Sequence, residues 1–139
     1  MPSTITTGYQ QLLDEARREI EEIPAVEAIK LMGDPNVVIV DIRDPRELAL
    51  EGKIPGSIHA PRGMLEFWVD PASPYFKPVF GEDKKFVFHC AAGWRSALAT
   101  QAVQGMGLKP VAHIDGGFKA WKDAGGPVEM PDPAPVNKG

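Results

Sequence analysis

The residues whose types and spacing could do chemistry stand around Cys90, the only cysteine of the chain. Cys90 follows an apolar run and precedes a helical pattern, in the stretch KKFVFHCAAGWRSALATQAVQGMG over residues 84–107. Small residues and Gly93 come next, so the backbone can curl round the sulfur with amide groups pointing inward, an arrangement that binds anions. Those amides, the helix that begins near Ser96 and the cation of Arg95 each favour a thiolate. The pattern predicts a nucleophilic cysteine that needs no histidine base, and the alternative is a thiol buried in the core.

Two helices are predicted ahead of the first strand. Apolar residues keep helical spacing from Tyr9 to Ile23, which predicts an amphipathic helix with a solvated charged face. Pro24 then opens a second short helix that continues through Met32 and ends at the turn formed by residues 33–35.

Apolar runs of strand length alternate with short helices in the rest of the chain. The run NVVIVDI predicts a strand buried on both faces, and Asp44, Pro45 and Glu47 then form a helix start. Further strands are predicted in GSIHAP (56–61), KFVFHC (85–90) and PVAHID (110–115), and a closing helix in GGFKAWKDAGG (116–126). The Pro-rich segments 70–83 and 127–139 are predicted to be a surface loop and an extended or disordered tail. This alternation predicts an α/β fold with an open, mostly parallel sheet whose carboxyl end carries the ligand site.

Composition and charge exclude several classes of partner. The 139 residues suit one domain, and 15 basic against 19 acidic side chains give a net charge of −4. We therefore expect no nucleic-acid partner, and no apolar run is long enough for membrane insertion. A lone thiol persists most easily in a reducing compartment, so we expect a cytoplasmic protein.

Four blocks stand in order along the chain: VVIVDIRDPREL (37–48), GKIPGSIHAPRG (52–63), HCAAGWRS (89–96) and IDGGFKAWKDAGGPVE (114–129). Together they resemble the rhodanese-like sulfurtransferase family. The resemblance implies a single rhodanese-like domain over residues 24–129, with a central five-stranded parallel sheet and helices on both faces. Residues 1–23 would then be an N-terminal amphipathic helical extension, and residues 130–139 a Pro-rich flexible tail.

The resemblance also implies sulfur transfer. Cys90 would take the outer sulfur of a small anionic donor such as thiosulfate, hold it as a persulfide, and give it to a thiol or to cyanide. A protein acceptor remains open, and neither a cofactor nor a metal is expected. The cradle that would bind the donor is formed by Ala91, Ala92, Gly93, Trp94, Arg95 and Ser96. Arg95 is assigned to attracting the donor, and its alternative is an ordinary helix-start arginine paired with an acid; Trp94 would shape the mouth of the site.

Other candidate residues follow the ends of the first two clear strands. In the family, a pair such as Asp41 and Arg43 mostly stabilises the fold. Arg62, Phe67 and Trp68 are candidates for one wall of the cleft, although core packing explains the two aromatics equally well. The three histidines lie in or beside strands and lack the spacing of metal ligands.

Two alternatives to an active sulfurtransferase remain at this point. Cysteine phosphatases also place a thiolate and an arginine in an amide cradle, but they have five residues between Cys and Arg, whereas four separate Cys90 from Arg95. Phosphatase and arsenate reductase chemistry is thus disfavoured. The other alternative is a non-enzymatic module that carries persulfide, senses redox state or binds a partner through Cys90; with no second cysteine, any disulfide must form with another molecule.

Overall fold

Five parallel strands form one sheet in the computed structural model, which describes residues 2–131. Their order in space is β1-β5-β4-β2-β3, and their bounds are β1 Glu21–Ile23, β2 Val37–Asp41, β3 Ile58–His59, β4 Lys85–His89 and β5 Val111–Ile114. The central strands β4 and β5 are almost wholly buried, as expected for apolar runs in a sheet covered on both faces. The prediction of a parallel α/β sheet is confirmed.

Helices cover both faces of this sheet. Their bounds are α1 Tyr9–Glu19, α2 Ala25–Ile29, α3 Pro45–Glu51, α4 Leu65–Val69, α5 Trp94–Gly105 and α6 Gly117–Asp123. Side chains alternate across β4, so Phe86 and Phe88 pack with α4 and α5 on one face, while Val87 packs with α2 and α6 on the other. The amphipathic helix α1 lies against α5, where Leu13, Ala16 and Ile20 are buried with Ala97.

The first helix is shorter than predicted, and a strand takes the place of its last residues. It ends at Glu19, and residues 21–23 form the edge strand β1, which pairs with β5. Ile23 precedes Pro24, and the proline ring disfavours a helical conformation in the residue before it. The segment predicted as the last turn of a helical extension is therefore part of the sheet. The second helix is also shorter than predicted: it ends at Ile29, and turns follow to Gly33.

The predicted start of α3 is confirmed in detail. The Asp44 side chain accepts a hydrogen bond from the backbone of Arg46 at 2.9 Å, and the Glu47 carboxylate accepts one from the backbone of Asp44 at 3.1 Å. This reciprocal capping box, with Pro45 at the first helical position, turns the chain sharply at the carboxyl end of β2. As a result α3 begins beside the place where β4 ends.

The segment predicted as a surface loop also contributes to the core. It contains a 3-10 helix over Pro78–Gly81 that buries Phe80 against Phe86, with ring centroids 5.4 Å apart. Of the predicted tail, Glu129 pairs with Lys53 in an antiparallel bridge, and residues 132–139 lie outside the described part of the chain. Within residues 2–131, no helix has the length and apolar character required to span a membrane.

Candidate active site

The sulfur of Cys90 lies in a short loop between β4 and α5. It accepts hydrogen bonds from the backbone N–H groups of Gly93 at 3.2 Å and Ser96 at 3.4 Å, and it lies 3.6 Å from the Ser96 hydroxyl oxygen. The residue is 1% exposed. Because the first N–H groups of a helix lack partners within it, the start of α5 directs positive charge at the sulfur. The geometry is suited to holding a thiolate.

The start of α6 holds this loop in place. The backbone N–H of Phe118 donates to the carbonyl of Cys90 at 2.8 Å, and that of Lys119 donates to the carbonyl of Ala91 at 3.1 Å. Gly117 has a φ of +62°, and a Cβ atom there would stand 2.6 Å from the Cys90 carbonyl oxygen. Only glycine fits such a close approach in this conformation. The sequence placed this glycine in the closing helix and in a family block, but gave no indication that it touches the Cys90 loop.

Arg95 is paired with an acid from α3. Its guanidinium donates to both carboxylate oxygens of Glu47, at 2.7 and 3.0 Å, and these hydrogen bonds lower the pKa of Glu47 below its ordinary value. The pairing matches the alternative considered for this residue, an ordinary helix-start arginine. A role in attracting the donor stays a prediction.

Two shallow depressions flank the loop. One is lined by Arg62 and Arg95, together with residues 42–45, 61 and 63. The other is lined by Ala91 and Ala92 and by Glu51, Phe118, Lys119 and Lys122. Both therefore contain cations beside the cradle, although Arg62 also pairs with Glu66 at 2.7 Å.

Asp41 and Arg43 form a fully buried ion pair below the loop. Arg43 donates to Asp41 Oδ2 at 2.8 Å and to the carbonyl of Gly52 at 2.8 Å, and its guanidinium lies 4.3 Å from the ring centre of Phe118. Burial raises the pKa of Asp41, but the hydrogen bonds from Arg43 and the nearby His89 outweigh it, so the pKa lies below its ordinary value. The pair joins β2 to the helix that supports the loop, which fits the expected structural role.

The aromatic candidates lie away from the loop depressions. Trp68 packs against the core and under the ammonium group of Lys77, and it lines a separate depression with Tyr75. Phe67 is 54% exposed on α4 and lines neither depression beside Cys90. The packing of Trp68 against the core fits the alternative given for it, and a cleft-wall role for Phe67 and Trp68 stays a prediction. Trp94, the first residue of α5, packs against Tyr9 of α1, with ring centroids 5.1 Å apart and the ring planes tilted by 34°.

Three polar side chains that the sequence did not associate with one another meet behind the sulfur. Ser96 Oγ lies 2.9 Å from His113 Nδ1, and His113 Nε2 lies 3.0 Å from Glu22 Oε2. Ser96 was expected only as part of the cradle and His113 only as a strand residue. No local sequence signal indicates this contact, because Glu22 and His113 are 91 positions apart.

Comparisons with known proteins agree on the family. The family model of the rhodanese-like domain matches residues 24–124. A Rhodopseudomonas palustris protein of unknown function, described as a possible tyrosine phosphatase, has a solved structure with 64% identity and a TM-score of 0.90, over 93% of this chain and 99% of that one. The thiosulfate:glutathione sulfurtransferase of Saccharomyces cerevisiae is 33% identical over 67% of this chain and 70% of its own length.

A bacterial relative resembles the chain over most of its length. The thiosulfate sulfurtransferase GlpE of Ectopseudomonas mendocina is 32% identical over 75% of this chain and 86% of its own length. Other curated relatives are longer, and the chain spans 61%, 28% and 51% of the length of three of them. With the family match over residues 24–124, these similarities show that the chain belongs to the rhodanese-like domain family.

Proposed function

We propose that the protein is a sulfurtransferase that moves a sulfane sulfur from thiosulfate or a similar anion to a thiol acceptor through a persulfide on Cys90. The observation that carries this proposal is the position of the Cys90 sulfur, between two backbone N–H donors at the start of α5. Convergent amides stabilise negative charge that develops on a sulfur atom. Two relatives whose names include thiosulfate support the choice of donor.

The reaction has two half-reactions. In the first, the Cys90 thiolate attacks the outer sulfur of thiosulfate, the S–S bond of the donor breaks, and sulfite leaves with the bonding electron pair. The outer sulfur remains on Cys90 as a persulfide anion. In the second, a nucleophilic thiol or cyanide attacks that sulfur, the persulfide S–S bond breaks, and the Cys90 thiolate is restored. A covalent intermediate of this kind gives ping-pong kinetics.

The first test is thiocyanate formation from thiosulfate and cyanide, by the protein and by its Cys90→Ser variant. We expect turnover by the protein and none by the folded variant, together with an added sulfur atom on Cys90 by mass spectrometry after donor treatment. Folded, reduced protein that forms neither thiocyanate nor persulfide would overturn the proposal. A persulfide without turnover would instead favour the carrier or sensor.

Phosphate ester hydrolysis is the second candidate, because the 64% identical Rhodopseudomonas palustris protein is described as a possible tyrosine phosphatase. The loop argues against it: four residues separate Cys90 from Arg95, one fewer than in cysteine phosphatases, and Glu47 engages both sides of the Arg95 fork. We expect no Cys90-dependent hydrolysis of p-nitrophenyl phosphate. Hydrolysis lost in the Cys90→Ser variant would make the phosphatase assignment the better one.

A further inference from the structure

A chain of polar side chains leads from the Cys90 sulfur to the protein surface. The Ser96 hydroxyl lies 3.6 Å from Sγ and 2.9 Å from His113 Nδ1, and His113 Nε2 lies 3.0 Å from Glu22 Oε2. Ser96 and His113 are fully buried, whereas the Glu22 side chain is 28% exposed. The mechanism described above uses neither the histidine nor the glutamate.

The charge of Glu22 sets the direction of these hydrogen bonds. Burial raises the pKa of Glu22, but hydrogen bonds from His113 and Arg17 outweigh it, so the pKa lies below its ordinary value and the group is ionised at neutral pH. A carboxylate only accepts, so His113 Nε2 carries the proton and Nδ1 is left as an acceptor. The Ser96 hydroxyl then donates to Nδ1, and its oxygen is free to accept the thiol proton of Cys90.

The surroundings keep His113 neutral at rest, with Nδ1 unprotonated. Burial lowers the pKa of His113 below its ordinary value, and the nearby Glu22 and Asp115 offset this only in part. Arg17 from α1 donates to both carboxylates, at 3.0 Å to Glu22 and 2.8 Å to Asp115, and so disfavours the charged imidazole. The guanidinium of Arg95, which follows Cys90 in the loop region, forms an ion pair with Glu47.

We propose that Ser96 and His113 take the thiol proton of Cys90 and so form the thiolate that attacks the donor, and that Glu22 stabilises the imidazolium that results. The proton of Sγ moves to Ser96 Oγ, the hydroxyl proton of Ser96 moves to His113 Nδ1, and the sulfur keeps its electron pair. The products are a thiolate and an imidazolium whose Nε2–H donates to Glu22. The part that this proton transfer plays in sulfur transfer rests on the proposed function, whereas the transfer of the proton from Cys90 to His113 does not.

The relay makes a prediction opposite to that of simple electrostatics. Removal of a nearby negative charge favours a thiolate through space, so a direct effect of Glu22→Gln would speed the reaction of Cys90. In the relay, the same change removes the counter-charge of the imidazolium and slows the reaction. The glutamine carbonyl oxygen can accept the same hydrogen bond from His113 Nε2, so the tautomer of the parent protein stays accessible without the charge.

The test is the rate of Cys90 alkylation by iodoacetamide across a pH range, in the protein, in Glu22→Gln and in Glu21→Gln. Glu21 is the matched control because it lies on the same strand, loses the same charge and pairs with Lys85 instead. For Glu22→Gln we expect alkylation near neutral pH to slow about tenfold, and the rates of variant and parent to converge in alkaline solution, where hydroxide removes the thiol proton without the relay. Glu21→Gln should match the parent throughout.

A rate unchanged or raised in Glu22→Gln would overturn the relay, as would a slowing that persists at high pH, which indicates a distorted loop. Ser96→Ala gives an independent check, because the backbone N–H of Ser96 still reaches the sulfur; we expect the same slowing near neutral pH and the same convergence. Alkylation requires no sulfur donor. Thiosulfate turnover measured on the same samples therefore separates failure of the relay from failure of the sulfurtransferase proposal.

Discussion

Gly117→Ala should detach the Cys90 loop from its support on α6. The added Cβ atom would stand 2.6 Å from the Cys90 carbonyl oxygen and 2.7 Å from the Ala91 carbonyl carbon, well inside van der Waals contact. The loop must then move away from the two N–H groups that hold it. Loss of two such hydrogen bonds costs about 2 kcal/mol. The left-handed backbone of Gly117 adds about 1 kcal/mol for a residue with a side chain.

The expected loss is therefore about 3 kcal/mol in the free energy of unfolding, measured by urea denaturation. The matched control is Gly125→Ala, at the other end of α6, where φ is +86° and no atom lies within 4 Å of the added Cβ. Gly125→Ala should lose only the roughly 1 kcal/mol that a side chain costs in a left-handed backbone, and it should leave the rate of Cys90 alkylation unchanged. Equal losses in the two variants, with Cys90 alkylated at the parent rate in both, would refute the role assigned to Gly117.

Three further predictions concern other parts of the molecule. Leu13→Ala should lower the free energy of unfolding by about 3 kcal/mol in urea denaturation, because Leu13 is buried between α1 and α5. Leu12 is 43% exposed, so Leu12→Ala should lower it by less than about 1 kcal/mol. Arg43→Met should cost about 3–5 kcal/mol near neutral pH, since it leaves the Asp41 carboxylate buried and unpaired. In the parent protein the lowered pKa of Asp41 contributes stability that is fully present above its unfolded pKa of about 3.9 and is lost as pH falls through the folded pKa. The stability difference between Arg43→Met and the parent protein should therefore shrink in acid. A difference that does not change with pH would contradict this account. Arg95→Ala should slow thiosulfate turnover about tenfold, the effect of losing one charged hydrogen bond, and raise the pH at which Cys90 alkylates; unchanged values for both would remove it from donor binding.

Elements with strong local signals could be predicted from the sequence. The capping box of α3 and the apolar runs of β2 and β4 depend on neighbouring residues, and the structure has them where expected. Strand β1 could not, because it has three residues, two of them glutamates, and forms only through pairing with β5. The burial of Phe80 could not be predicted for a similar reason. A Pro-rich segment shows no hydrophobic periodicity, and only tertiary packing buries this ring.

The site follows the same division. Cys90 and its loop could be located because the strand, the small residues and the helix start are contiguous. The pairing of Arg95 with Glu47 spans 48 positions, and that of His113 with Glu22 spans 91. Such contacts depend on the strand order, in which β1 lies beside β5, and no pattern within a short window contains that information.

The burial of the Cys90 sulfur has a consequence for what an acceptor can touch. Cys90 is 1% exposed, and an S–S bond is about 2.05 Å long, so the outer sulfur of the proposed persulfide would lie about 2 Å from Sγ. A bulky thiol acceptor would then react with the protein only when Cys90 carries the transferred sulfur. In the proposed reaction the depth of the cradle would act as a size filter: a small anion reaches Sγ to form the persulfide, and a larger acceptor reacts only with the transferred sulfur.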